Sequence, residues 1–278
     1  MKLCHDQDAL QLELLERRSR GERIGFVPTM GFLHAGHTSL MDRARSLCDH
    51  LVVSIFVNPL QFGPGEDLDR YPRDHEGDAA KCRAHGVDTL FLPPEAAFYP
   101  ADRSTTVSVG GLSAGLCGAD RPGHFDGVTT VVARLFGLVQ PHVAVFGEKD
   151  YQQLAIIRRM VRDLAMPVEI VGGPLVRDSD GLALSSRNKY LQPDQRARAL
   201  SLSGALRAMA AAAAAGEDDV GALLAIGHGT VDADQLDYLE IRCAESLAPL
   251  LVLDRPARAF VAARYGATRL IDNLAVGR

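Results

Sequence analysis

Residues 51–57 (LVVSIFV) are apolar and largely β-branched at every position but Ser54, and His50 and the Asn58-Pro59 pair bound them. A run of this kind is too apolar to be a strand with one face in water. It fits a strand covered on both faces, as in a parallel sheet flanked by helices. Shorter runs of the same character lie at 24–27 (stopped by Pro28), 89–92, 143–146 and 168–171. Between them, helical spacing of apolar residues predicts helices over 8–20, 38–48, 78–85, 127–139 and 152–164. Strand and helix alternate, which predicts an α/β fold built on a doubly wound parallel sheet. In such sheets ligands bind beyond the carboxyl ends of the strands, so the chemistry is to be sought in the loops that follow them.

The pattern changes after residue 175. A long helical stretch containing the alanine run 210–215 ends at Gly216, and short strands are expected at 236–242, 259–263 and 269–274, the last two joined by a turn at Gly266. The chain is therefore divided into a larger unit, 1–175, and a smaller α+β unit, 176–278.

Charge and cysteine usage narrow the partners. A formal net charge of -5 on 278 residues argues against a broad basic surface for nucleic acid and leaves room for a local basic pocket. The five cysteines are scattered and form no C-x-x-C pair, which suits a reducing cytoplasm. Asp6, Asp8, Glu13 and Glu16 interrupt any signal-peptide core, and no apolar run approaches a membrane span, so neither export nor a membrane is expected.

Four loops carry candidate chemistry, and a fifth segment is open to a structural reading. Residues 30–37 (MGFLHAGH) follow the 24–27 strand and precede a helix, a position where backbone N–H groups and the helix dipole favour phosphate. His34 and His37 add hydrogen-bond donors there, while Gly31 and Gly36 allow close backbone approach. A metal reading would need further ligands, and no H-E-x-x-H or cysteine pair supplies them. Gly147, Glu148, Lys149 and Asp150 follow the 143–146 strand, where a lysine can meet phosphate charge and an aspartate can orient a hydroxyl or hold Mg²⁺. Taken alone, this tetrapeptide favours the reading of a solvated charged turn. Leu184, Ser185, Ser186, Arg187 and Asn188 offer neutral donors and one cation. Asn58 and Gln61, just past the 51–57 strand, suit the polar groups of a small substrate, Gln61 being the more informative. In residues 121–125 (RPGHF), Arg121 and His124 serve either an anion or the following helix, for which Asp126 is the expected N-cap.

The segments PTMGFLHAGH, FVNPLQFG, RPGHFDGV, VFGEKDYQQL and LALSSRN, in this order over roughly residues 20–195, closely resemble the pantoate–β-alanine ligase family of the HxGH nucleotidyltransferase superfamily. The resemblance implies a Rossmann-like N-terminal domain, a smaller C-terminal lid domain and a homodimer. It also implies a two-step reaction. Pantoate and ATP with Mg²⁺ form pantoyl adenylate and pyrophosphate, and β-alanine then displaces AMP to give pantothenate.

Carried onto this chain, the resemblance implies that Met30, Gly31, Phe32, Leu33, His34, Ala35, Gly36 and His37 line the ATP site, with both histidines on the phosphates and His37 as proton donor. Gly147, Glu148, Lys149 and Asp150 would contact ATP, with Lys149 on phosphate and Asp150 near the ribose or metal. Val176, Leu184, Ser185, Ser186 and Arg187 would complete that site. His34, His37, Lys149 and Arg187 would be its catalytic groups. Gln61 and Gln153 would hold pantoate, with Gln61 near β-alanine, and the metal ligands stay unassigned. Phe32, Ala35 and Leu184 depart from the commonest family residues, none of them at a proposed catalytic position. Two rivals remain: a nucleotidylyltransferase of the same superfamily, which would leave a stable nucleotide-containing product, and a non-catalytic nucleotide-binding module.

Overall fold

The computed structural model describes residues 1–277. In chain order it contains β1 (Lys2–Cys4), α1 (Gln7–Ser19), β2 (Ile24–Thr29), α2 (Ala35–Arg45), β3 (His50–Ile55), α3 (His75–Ala84), β4 (Thr89–Phe91), α4 (Glu95–Phe98), α5 (Cys117–Asp120), α6 (His124–Val139), β5 (Val143–Gly147), α7 (Tyr151–Asp163) and β6 (Glu169–Gly173). There follow α8 (Pro193–Ala214), α9 (Val220–His228), β7 (Gln235–Cys243), β8 (Ala257–Tyr265) and β9 (Thr268–Val276).

The first six strands form one parallel sheet in the order β1-β4-β3-β2-β5-β6. Winding starts at β2, runs outward through β3 and β4, then returns to the other side of β2 for β5 and β6, which is the doubly wound, Rossmann-like arrangement. Its direction reverses between β2 and β5. The last three strands form a separate antiparallel sheet, β7-β8-β9.

Burial explains the central strands. Every residue of β3 is buried, and in β2 only Pro28 is partly open. One face of the sheet packs Phe26 against Phe136 of α6, with Leu10 and Leu14 of α1 and Ile156 of α7 in the same core. The opposite face packs Val27 and Val53 against Leu40 and Met41 of α2 and Cys82 of α3. A third core lies under the small sheet, where Leu202, Leu206 and Met209 of α8 meet Ala259, Val261 and Leu270. Phe260 of β8 joins the first core and stands 5.9 Å from Tyr151, so the two sheets share packing.

Several sequence expectations are corrected. Pro28 does not stop β2, which runs on to Thr29 with Pro28 opposite Ser54 of β3. On the other side β5 pairs with β2 only at Gly25 and Phe26, so the proline, which has no N–H, stands where the β2–β5 ladder ends and leaves the β3 side of the strand intact. Helices α2 and α6 each begin three residues earlier than the apolar pattern indicates, because His34 and Gly123 are their N-caps. Asp126 is therefore not the cap of α6; it lies in the first turn and accepts from Ser108 Oγ at 2.7 Å. Strand β1 and helices α4, α5 and α9 were not anticipated, although Asp219, which accepts from Ala222 N, is a standard cap signal for α9.

Gly25 of β2 lies so close to α2's C-terminal end that a Cβ there would stand 2.5 Å from Cys48 Sγ and 2.8 Å from Cys48 Cβ. Gly25→Ala is expected to lower the unfolding free energy by about 1–3 kcal/mol through overpacking. Cys48→Ala in the same chain should restore part of that loss in urea denaturation; equal stability of Gly25→Ala and wild type would contradict the packing.

Candidate active site

The loops after β2, β3 and β5 converge on one cleft. Its inner chamber, about 240 Å³, is lined by Met30, His34, Gly36, His37, Gln61, Gly147, Lys149, Asp150, Gln153, Val176, Leu184, Ser185, Ser186 and Arg187 among others. An adjoining chamber of about 700 Å³ opens toward β9 and shares Lys149, Asp150, Gln153, Ser185 and Arg187 with it. Five residues named from sequence do not line the inner chamber. Leu33 is buried in the core, Gly31 is buried, Ala35 is exposed, Phe32 lies under Lys189 Nζ at 4.3 Å, and the Glu148 carboxylate stands 3.6 Å from Arg258.

His34 and His37 form an unusual helix start. Gly36 N–H donates to His34 Nδ1 at 3.2 Å, and His34 N–H donates to His37 Nδ1 at 3.3 Å. The two rings lie against each other, tilted by 43° with centroids 4.1 Å apart. Two N–H groups that a phosphate would otherwise meet are thus taken up by the imidazoles. Because each Nδ1 accepts, each neutral ring carries its proton on Nε2. Burial pushes the His34 pKa down to about 4 and the His37 pKa down to about 3, with Lys149 lowering both further and His34 acting on His37. The pair therefore presents neutral Nε2–H donors, polarised by the helix N-terminus behind them.

The loop that carries them is held from α3. The buried Asp78 carboxylate accepts Phe32 N–H and Leu33 N–H, both at 2.7 Å, and fixes a turn in which Gly31 and Phe32 have positive φ. Gly31 is required here on two counts, since a Cβ would stand 2.8 Å from Ile55 Cγ2 and φ is +87°. The reason for that glycine is thus the loop's own geometry. No motif flagged Asp78; its only sequence signal was a carboxylate on the buried face of a helix beside Ala79 and Cys82.

Segment 59–61 is likewise built in. Asn58 is buried and donates through Nδ2 to Gln61 Oε1 and Gly127 O, both at 3.0 Å, while its Oδ1 accepts from Tyr99 and Leu60 N–H. It positions Gln61 and has no bond to spare for a ligand. His124 Nδ1 donates to Gln61 O at 2.8 Å and Arg121 donates to the same oxygen at 3.2 Å, so the RPGHF segment cradles this turn. His124 is neutral, its pKa lowered to about 4 by burial and by Arg121.

Two of the three Lys and Arg side chains lining the inner chamber are already paired. Arg121 makes two bonds to Glu66, and Arg187 makes two to Asp67, at 3.1 and 2.9 Å. Burial would raise the Asp67 carboxyl, yet the hydrogen bonds and charge of Arg187 hold it below the usual range. Arg187, the cation of the 184–188 segment, is therefore already engaged in the free protein. Lys149 is the freer one, 3.7 Å from the half-exposed Asp150. The 176–184 hairpin brings Val176 O to Leu184 N–H at 3.0 Å, and Ser186 Oγ reaches Phe32 O at 3.4 Å, which ties the third loop to the first. Val128, Val131, Val132 and Leu135 of α6 give the inner chamber an apolar wall that no motif announced. Among the described residues no group of three or more His, Cys, Asp or Glu is arranged to hold a metal ion.

Comparison with known proteins places this geometry. The model of the Pantoate-beta-alanine ligase family matches residues 2–275. Pantothenate synthetase of Geotalea daltonii is 51% identical over 280 residues, covering 100% of this chain and 99% of that protein, and that of Pseudomonas entomophila is 54% identical, covering 95% and 94%. A crystal structure of pantothenate synthetase from Thermus thermophilus is similar over 100% of both chains with a TM-score of 0.95 and 51% identity. Pantoate-beta-alanine ligase from Francisella tularensis, complexed with beta-gamma ATP and beta-alanine, is similar over 99% of this chain and 97% of that one, with a TM-score of 0.81 and 34% identity.

In the free protein the ¹⁵N signals of His34 and His37 are expected to keep the Nε2-protonated neutral pattern from pH 8 down to about pH 5. These imidazoles stay neutral in the fold but bind protons near pH 6.5 once unfolded, so stability is fully present above pH 6.5 and falls as pH drops toward about 4 and 3. Titration of either ring near 6.5, or a proton on Nδ1, would contradict the assignment.

Proposed function

This chain belongs to the pantoate–β-alanine ligase family, and from that premise we propose how its cleft performs the family's reaction. The reaction is the ATP-dependent ligation of pantoate and β-alanine. The pantoate carboxylate attacks the α-phosphorus of ATP, pyrophosphate leaves, and the β-alanine amine then attacks the activated carbonyl and releases AMP. No protein nucleophile is required; the chain must hold two anions together and stabilise the charge that builds up as pyrophosphate departs.

The observation that carries the residue assignments is the meeting, at one opening of the sheet, of two Nε2–H donors, Lys149 and an inner chamber that sets Gln61 and Gln153 against the apolar side chains of α6. His34 and His37 donate to the triphosphate as neutral hydrogen-bond donors, which costs no additional buried charge. Lys149 supplies the cation, and Ser185 and Ser186 add hydroxyl donors. Arg187 joins once phosphate replaces Asp67 as its partner. Met30, Gly36, Gly147, Val176 and Leu184 complete the nucleotide's walls. Gln61 and Gln153 hold the hydroxyl and carboxyl groups of pantoate, while Val128, Val131 and Val132 cover its two methyl groups. Held side by side, the reactants gain the advantage of an intramolecular reaction.

Mg²⁺ enters as part of the ATP substrate. It needs only one or two carboxylates besides phosphate and water, and Asp150, which lines both chambers, is the carboxylate in reach. Residues 1–175 form the ATP- and pantoate-binding domain and residues 176–278 the smaller domain that closes over it. The enzyme works as a cytoplasmic homodimer. No helix among the described residues is long and apolar enough to cross a membrane.

Pyrophosphate exchange into ATP should require pantoate but not β-alanine, and AMP should accumulate only when β-alanine is present. Exchange without pantoate, or a stable nucleotide-containing product, would overturn the reading. Lys149→Ala and His37→Ala should each slow exchange by about a hundredfold or more with the melting temperature little changed. A rate within about threefold of wild type would remove that residue from the phosphate site.

A further inference from the structure

None of the groups assigned to the reaction lies on the small antiparallel sheet, yet that sheet reaches the turn that carries Lys149. Asn273 of β9 is 3% exposed. Its Nδ2 donates to Glu148 O at 3.0 Å and to Lys149 O at 2.8 Å, using both amide hydrogens on consecutive carbonyls of the Glu148–Asp150 turn. The amide is itself fixed. Its Oδ1 accepts from Arg258 Nη1, and its backbone N–H donates to Asp272 Oδ1 at 2.7 Å. Asp272 in turn makes two bonds to Arg177, at 2.6 and 3.0 Å. Arg258 also lies 4.0 Å over the ring of Tyr151, the residue that follows the turn.

A side chain whose every polar group is committed, and whose two donors end on the backbone of the freest cation of the inner chamber and of the residue before it, is a clamp on that cation's position. Only a primary amide fits: a carboxylate would set negative charge against two carbonyl oxygens, and a hydroxyl offers one hydrogen. Buried polar groups of this kind stay because they fix one geometry.

We propose that Asn273 is a positioning residue for Lys149, through which the C-terminal sheet sets the place of the phosphate-binding cation. The inference rests on the reading of Lys149 as a phosphate-binding group.

A double-mutant cycle tests it, with ATP affinity measured calorimetrically and pantoate-dependent pyrophosphate exchange measured on the same proteins. Asn273→Ala removes both donors, and Asn273→Asp removes them while keeping the acceptor that Arg258 uses. Each should weaken ATP binding and slow exchange by about tenfold, with the KM for pantoate within about twofold of wild type. In a Lys149→Ala background either substitution should add almost nothing, because its effect passes through the lysine. Additive losses, unchanged ATP affinity, or failure of both variants to melt cooperatively would overturn the positioning role. Lys149→Ala behaving like wild type would instead remove the phosphate reading, and the positioning role with it.

Discussion

Everything in the cleft depends on where the parallel sheet comes apart. Strands β2 and β5 are hydrogen-bonded only through Gly25 and Phe26, and past that point β2 continues with Pro28, which has no N–H to offer. The winding direction also reverses between these strands, so no crossover helix covers their carboxyl ends. One proline and one topological reversal thus produce a gap in an otherwise continuous sheet. The loop carrying His34 and His37 enters from one side of it, and the turn carrying Lys149 enters from the other.

Charge in the gap is balanced before any ligand arrives. Both imidazoles are neutral, with Nδ1 facing backbone N–H groups, and Arg121 and Arg187 are held by Glu66 and Asp67. A cluster of bare cations would repel itself and destabilise the fold. The arrangement instead keeps donors oriented and charges paired, and Lys149 is the least encumbered of them. In the proposed mechanism a triphosphate competes with Asp67 for Arg187, which links nucleotide binding to the 63–70 loop. In that mechanism the departing pyrophosphate meets imidazole donors already oriented in the free protein and an Arg187 released from Asp67.

The central strands of the parallel sheet were legible because double-sided burial leaves a nearly unbroken apolar signature, as in residues 51–57, whereas the short edge strand β1 has two of its three residues exposed and leaves none. The motif loops were legible because function concentrates glycine, histidine and amide side chains within a few positions. What stayed hidden acts across long sequence separations. Asp78 holds Phe32 from 46 residues away, Arg187 is paired to a residue 120 positions earlier, and Asn273 reaches Glu148 across 125. None of these contacts has a local period or spacing. The extent of β2 was misjudged for a related reason: whether a proline ends a strand depends on which neighbour needs its N–H, and that is settled by the partner strand alone. The start of α2 was set by a histidine acting as its cap, a residue outside the usual capping set.

The most direct test of the central assignment is a crystal structure of this protein with a non-hydrolysable ATP analogue and pantoate. The phosphates should lie within hydrogen-bond distance of Nε2 of both His34 and His37 and of Lys149 Nζ, with Arg187 turned from Asp67 toward them. A triphosphate seated in the larger chamber away from the two imidazoles, or Arg187 still joined to Asp67, would contradict it.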